Sequence, residues 1–135
     1  QTFALPISDL LNRQGPQWLA GLNLSGLYLR NANLKLADLT GANLAGADFR
    51  NAEVNGANLT EADLSGANLS GSKLLYVKLQ NANLSGANLQ GATMTGAILF
   101  GANLTNTNLK GAILQDANLE GALYGNTIMP DGSVR

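Results

Sequence analysis

The sequence predicts an all-β solenoid, and three features of one periodic pattern predict it. A large apolar residue recurs at every fifth position from Leu24 to Leu119, twenty times without a slip; seventeen of these centres are Leu, the others Phe49, Val54 and Met94. Two residues before the centres, sixteen of the nineteen positions from Ala32 to Ala122 are Ala, interrupted only by Ser72, Val77 and Thr107. Between these two slots, thirteen of the twenty positions from Asn23 to Asn118 are Asn or Asp. Five residues advance an α-helix by about 140° beyond a full turn, which smears the centres around its surface. A flat strand alternates faces with period two, so an odd repeat sends successive centres to opposite sides.

A chain that runs extended for about three residues and then bends the same way each time satisfies the pattern. Ala and Leu, two apart, both point inward, and the Asn or Asp between them points out. The two residues after each centre, often Ser or Thr followed by Gly, fall at the bend, where small side chains and a permissive backbone are useful. Spacing leaves the number of sides open. Four right-angle bends would close a coil in twenty residues, with neighbouring coils about 4.8 Å apart and paired through backbone hydrogen bonds. About five such coils give a rod roughly 25 Å long.

The repeated A-[N/D]-L-x-x phrase, clearest in ADLTG ANLAG ADFRN AEVNG ANLTE ADLSG ANLSG from Ala37 to Gly71, resembles the pentapeptide-repeat family. The resemblance covers roughly residues 19 to 129, and a period sustained this long is a specific signal. It implies a right-handed quadrilateral parallel β-helix, and it is similar to that of small near-consensus members from cyanobacteria and plastids. Those relatives leave the address open between the cytoplasm and, if the N-terminus is processed, the thylakoid lumen or periplasm. The chain starts Gln-Thr, which suits processing and a cloning boundary equally.

In the twenty-residue register the inward columns are Leu24, Leu44, Leu64, Leu84 and Leu104; Leu29, Phe49, Leu69, Leu89 and Leu109; Leu34, Val54, Leu74, Met94 and Leu114; and Leu39, Leu59, Leu79, Leu99 and Leu119. Outside, Asn43, Asp63, Asn83 and Asn103 form a ladder, and Glu53 falls under Lys73 as an exposed ion pair. The stack needs covers at both ends. Residues 1–18 are expected to form an N-terminal cap with a short helix over 9–14, Ser8 as its N-cap and Gly15 and Pro16 as its stop. Leu10, Leu11 and Trp18 are expected over the first leucine layer. Residues 19–129 form the β-helix, and 130–135, beginning Pro130-Asp131-Gly132, form a short tail. The tail is a thin lid, so the chain is expected to be a monomer or a dimer through its C-terminal face.

Composition narrows the chemistry. The 135 residues carry eight Lys and Arg against nine Asp and Glu, are 45% apolar, and contain neither His nor Cys. The commonest general base, the thiol nucleophile and the usual zinc ligands are therefore missing. The carboxylates Asp38, Asp48, Glu53, Glu61, Asp63, Asp116 and Glu120 mostly fall on the outside of a convex prism, where no substrate is enclosed. The Gly66–Lys73 stretch imitates a phosphate-binding loop but has Ser-Lys where that loop needs Lys-Ser, and its glycines recur because the repeat is five long. No catalytic residue, cofactor or metal site is expected. Arg30, Arg50 and Lys110 in one outward column make a weak basic stripe beside Asp48, so no nucleic acid is expected as a partner. No apolar run reaches the roughly 18 residues of a membrane span.

One segment, Ser72 to Leu79, departs from the repeat by placing Leu75 and Tyr76 at a bend and Val77 in an Ala slot. Leu36 shares the outward column of Tyr76 with only Gly56 between. Leu36, Leu75 and Tyr76, edged by Lys35 and Lys73, form one candidate partner-binding patch; Ile98 and Phe100, near Lys78 and Gln80, form a second. Tolerated drift of scattered surface apolar residues is the competing reading. The expected function is a non-enzymatic rigid scaffold for a protein partner. Its alternatives are small-ligand binding, which would need a pocket the prism does not offer, cation binding on the Asp/Asn ladders and, from the resemblance, DNA mimicry directed at a topoisomerase such as gyrase, which would need a denser acidic surface.

Overall fold

The computed structural model describes residues 16–135. Its organising feature is a corner every five residues. At one of them the Ala47 amide donates to the Leu44 carbonyl at 3.1 Å, and Gly46, third in the turn, has φ 68°. A positive φ confined to the third residue marks a type II turn. The same three-residue hydrogen bond and the same left-handed residue recur along the chain.

Four corners make a coil of twenty residues. Parallel bridges join each residue before a centre to the one twenty further on, from Trp18 with Asp38 to Asn108 with Ile128. In each wall two hydrogen bonds tie a coil to the next: Leu44 N–H donates to Asp63 O at 2.7 Å, and Asp63 N–H donates to Ala42 O at 3.0 Å. We number the walls by their centres: wall 1 holds Leu44 and Leu64, wall 2 Phe49 and Leu69, wall 3 Val54 and Leu74, and wall 4 Leu59 and Leu79. The third corner joins walls 3 and 4 and contains 35–36, 55–56, 75–76, 95–96 and 115–116.

The axis is filled by the Ala and Leu columns, which are fully buried through the middle of the rod. Departures from Ala are accommodated chemically. Ser72 Oγ donates to Leu69 O at 2.6 Å and Thr107 Oγ1 to Leu84 O at 2.7 Å, so each buried hydroxyl is satisfied. The Asn and Asp residues between Ala and Leu also do more than face water. Asn43 Oδ1 accepts from Ala45 N–H at 3.1 Å and Asp63 Oδ1 from Ser65 N–H at 3.0 Å, so the outward ladder braces each following corner as an Asx turn.

The expected helix over 9–14 lies outside the described residues. Trp18 does not cover the leucine layer. It occupies the outward slot before Leu19, bridges Asp38, and is 77% exposed. At the other end, walls 3 and 4 make their last parallel bridges at Ile113 and Asn118, while walls 1 and 2 continue to Leu123 and Ile128. Past Pro130-Asp131-Gly132 the tail reverses, and Thr127 and Arg135 exchange backbone hydrogen bonds of 3.1 and 2.8 Å in an antiparallel pair. Arg135 sits over the Tyr124 ring, 4.1 Å from its centroid.

Leu64→Ala is expected to destabilise the protein by about 2–5 kcal/mol through cavity formation, measured by denaturant unfolding. Leu119→Ala, at a half-buried site, should cost distinctly less; equal costs would contradict the position assigned to the two side chains. Gly86, at φ 70°, has only the Gly66 amide near a would-be Cβ, at 3.9 Å. Gly86→Ala should therefore report the left-handed backbone alone, about 1–2 kcal/mol.

Candidate protein-docking groove

Most left-handed corner positions hold Gly, and most of the rest hold Asn, whose short polar side chain tolerates this region. Leu36 at φ 60° and Tyr76 at φ 55° are the exceptions of apolar character among the described residues. Both belong to the third corner, two coils apart, with Gly56 between them. Their side chains are 64% and 67% exposed. Each leans toward the next coil onto a glycine. A Cβ built on Gly56 would stand 2.7 Å from Leu36 Cδ2, and one built on Gly96 would stand 2.5 Å from Tyr76 Cδ1. Neither corner glycine can acquire a side chain without displacing its apolar neighbour.

The result is a groove of about 590 Å³ lined by Lys35, Leu36, Asn55, Gly56, Leu75 and Tyr76. A smaller recess of about 190 Å³, lined by Pro16, Asn33, Lys35 and Leu36, adjoins it and shares two of its residues. The structure thus brings Leu36, Leu75 and Tyr76 together. Ile98 and Phe100 are elsewhere: Ile98 is half-buried on wall 4, bridged to Lys78, and Phe100, 45% exposed, is at the next corner. Lys73 does not line the groove.

Asn55 is a member that the sequence reading omitted. Lys73 stands where most repeats carry the Asn or Asp that braces the next corner, so Leu75 N–H lacks its local acceptor. Asn55 Oδ1, one coil earlier, supplies it at 2.9 Å. The signal was present as an Asn in a bend slot twenty residues before the irregular segment, but only the register makes it legible.

Charge around the groove is mixed. Lys35 Nζ lies 3.3 Å from Glu53 Oε2, and Lys73 Nζ lies 4.0 Å from Glu53 Oε1. The expected Glu53–Lys73 contact is therefore the longer of two, and exposed pairs of this kind contribute about 0–1 kcal/mol. On wall 2, Asp48 is shared by Arg30, at 2.7 Å, and Arg50, whose Nε and Nη2 approach at 3.0 and 2.8 Å. The hydrogen bond to Asp48 raises the Arg30 pKa above its ordinary value, and the guanidinium also lies 5.0 Å from the Tyr28 ring centroid. The first two members of the expected basic stripe are consequently half-neutralised by one shared carboxylate. Among the described residues no group of three or more acidic side chains is placed to hold a metal ion, and no helix is long and apolar enough to cross a membrane.

Pentapeptide repeats, the family whose pattern the chain matches, align in eight copies over residues 19–56, 37–75, 62–100 and 87–123. No curated protein matches the chain. Among solved structures, the pentapeptide repeat protein Rfr23 from the cyanobacterium Cyanothece 51142 is 34% identical with a TM-score of 0.75, covering 76% of this chain and 83% of that one. A pentapeptide repeat protein from the Arabidopsis thaliana thylakoid lumen is 33% identical over 75% of this chain and 67% of its own, with a TM-score of 0.49. QnrB1, a plasmid-mediated fluoroquinolone resistance protein, shares 18% identity over 84% and 71% of the two chains with a TM-score of 0.52, a likeness of fold. A five-residue phrase matched across most of the sequence, on a backbone that turns four corners in every twenty residues, means that the chain belongs to the pentapeptide repeat family and is a right-handed quadrilateral β-helix.

Proposed function

We propose that this protein is a non-enzymatic rigid scaffold, a rod of about five coils that docks another protein through its third-corner groove. The observation that carries the reading is the left-handed backbone of Leu36 and Tyr76. A non-Gly residue there costs about 1–2 kcal/mol, and backbone strain persists where surrounding structure over-determines it, commonly at sites of function. Glycine is used at most equivalent corners of this chain, so drift alone does not account for two apolar residues in one column. Leu75, half-buried beside them, extends the same apolar surface.

The alternative of DNA mimicry calls for a continuous acidic wall. Asp48 and Glu53 are each contacted by two cationic side chains, which favours protein docking over imitation of a polyanion. The likeness to QnrB1, at 18% identity, carries fold and not role.

Leu36→Gly combined with Tyr76→Gly separates docking from folding. Relief of the left-handed strain is offset by the roughly 0.5–1 kcal/mol of backbone entropy that each glycine adds to the unfolded chain. The double variant should melt within a few degrees of the parent or above it, as about 1 kcal/mol permits for a domain of this size. In affinity capture from the native organism it should lose the partners that the parent retains. A folded double variant with an unchanged partner set would refute the assignment.

A further inference from the structure

We propose that the groove receives an extended segment of a partner protein in which one apolar anchor residue is flanked by carboxylates. This rests on the docking role given above and adds the chemistry of the occupant.

The direction of the groove comes first. Pro16, Leu36, Gly56 and Tyr76 follow one another up a single corner, so the recess and the groove form a corridor along the rod axis, across the coils rather than along one. Three coil spacings of about 4.8 Å give roughly 14 Å, the length of about four residues of extended chain. The corridor is therefore long enough for a short peptide segment, with Leu36 and Tyr76 as the two jaws around one inserted side chain.

Four of the corridor's amides are already engaged within the coil, which leaves little backbone for a partner to donate from. Leu36 N–H donates to Asn55 O at 3.0 Å, Gly56 N–H to Leu75 O at 2.8 Å, and Tyr76 N–H to Thr95 O at 2.9 Å. Leu75 N–H is held by the Asn55 side chain. A partner therefore meets fewer free amides here than at a free sheet edge, and side chains carry most of the recognition.

The lining side chains are apolar apart from Lys35 and Asn55, and further lysines stand on the walls beside the groove. Of the four lysines in the sequence, Lys35, Lys73 and Lys78 all fall in the coil segments 33–38 and 73–78 that carry the jaws. Lys35 and Lys73 share Glu53, and Lys78 forms no ion pair among the described residues. The remaining acid on the flanking wall is Asp38, two coils from Lys78 with Asn58 between them in the column. Three cations against two carboxylates leave these parts of the flanking walls with one net positive charge, carried by the lysines beside the groove. Charge complementarity of this kind steers and selects a partner, and here it selects acidic flanks around an apolar anchor.

The test uses the full chain, labelled with ¹⁵N, and two synthetic peptides of defined composition: acetyl-Glu-Glu-Leu-Phe-Glu-Glu-amide and its counterpart with lysine in place of every glutamate. Titration with the acidic peptide should shift the Gly56, Leu75 and Tyr76 amides saturably, with the effect weakening as salt is raised. The lysine peptide should bind at least about tenfold more weakly, and Lys78→Glu should reduce affinity for the acidic peptide by about three- to tenfold. Equal binding of both peptides at these amides would overturn the acidic flanks. Absence of shifts with either peptide would overturn the anchored acidic segment. If the glycine double variant still loses its captured partners, that failure belongs to the occupant alone; if its partners are unchanged, the docking role falls with it.

Discussion

A single backbone requirement governs this molecule: the third residue of every corner takes a positive φ. Without it the chain would run on as a strand, and Ala and Leu could not face the same axis in successive repeats. With it, each five-residue phrase bends in the same sense, and each centre returns above its predecessor after twenty residues. The inter-coil hydrogen bonds and the filled axis follow from that return. The frequency of Gly and Asn is a consequence of the corner, because few other residues enter this region cheaply. The Asn or Asp two residues before a bend residue's amide contributes from the other side, accepting its N–H and holding the turn closed.

This division of labour explains what could be read without coordinates. The inward columns were legible because period five, with Ala two before Leu, admits few arrangements that bury both. The union of Leu36, Leu75 and Tyr76 was legible once a coil of twenty was assumed. Ile98 and Phe100 were read as a second patch apart from that groove, and they stand apart from it: Ile98 on wall 4 and Phe100 at the corner that follows. Nor could the left-handed backbone of Leu36 and Tyr76 be seen directly. Their residue types disfavour it, and only the regularity of the corners around them imposes it.

The ends were harder for a related reason. A repeat announces itself by agreement among its copies, and terminal segments have no copies to agree with. Trp18 read as a cover because a large aromatic residue suggests burial, yet its slot before Leu19 is an outward one and the bridge to Asp38 keeps it there. The tail read as a thin lid because the pattern decays after Leu119. Its turn residues were recognised, but the direction of the chain beyond them was not: Arg135 pairs back with Thr127, replacing the parallel ladder with an antiparallel one.

Strain and rigidity are joined in the groove. The amides of Leu36 and Tyr76 each donate to the next coil, and Leu75 O accepts from Gly56 in the coil before, so neither residue can relax without breaking an inter-coil hydrogen bond. Tyr76 is further confined by Gly96, whose missing side chain provides the space the ring occupies, and Leu36 by Gly56 in the same manner. The backbone beneath both apolar residues is therefore fixed, so under the docking role proposed above a partner would not bear the entropy of ordering it. A convex rod has little capacity to enclose a ligand, and this one compensates at a single corner by alternating a large residue with a glycine up the axis. That alternation converts a smooth edge into a corridor, and it does so with side chains because the amides of Leu36, Gly56, Leu75 and Tyr76 are already held within the coil.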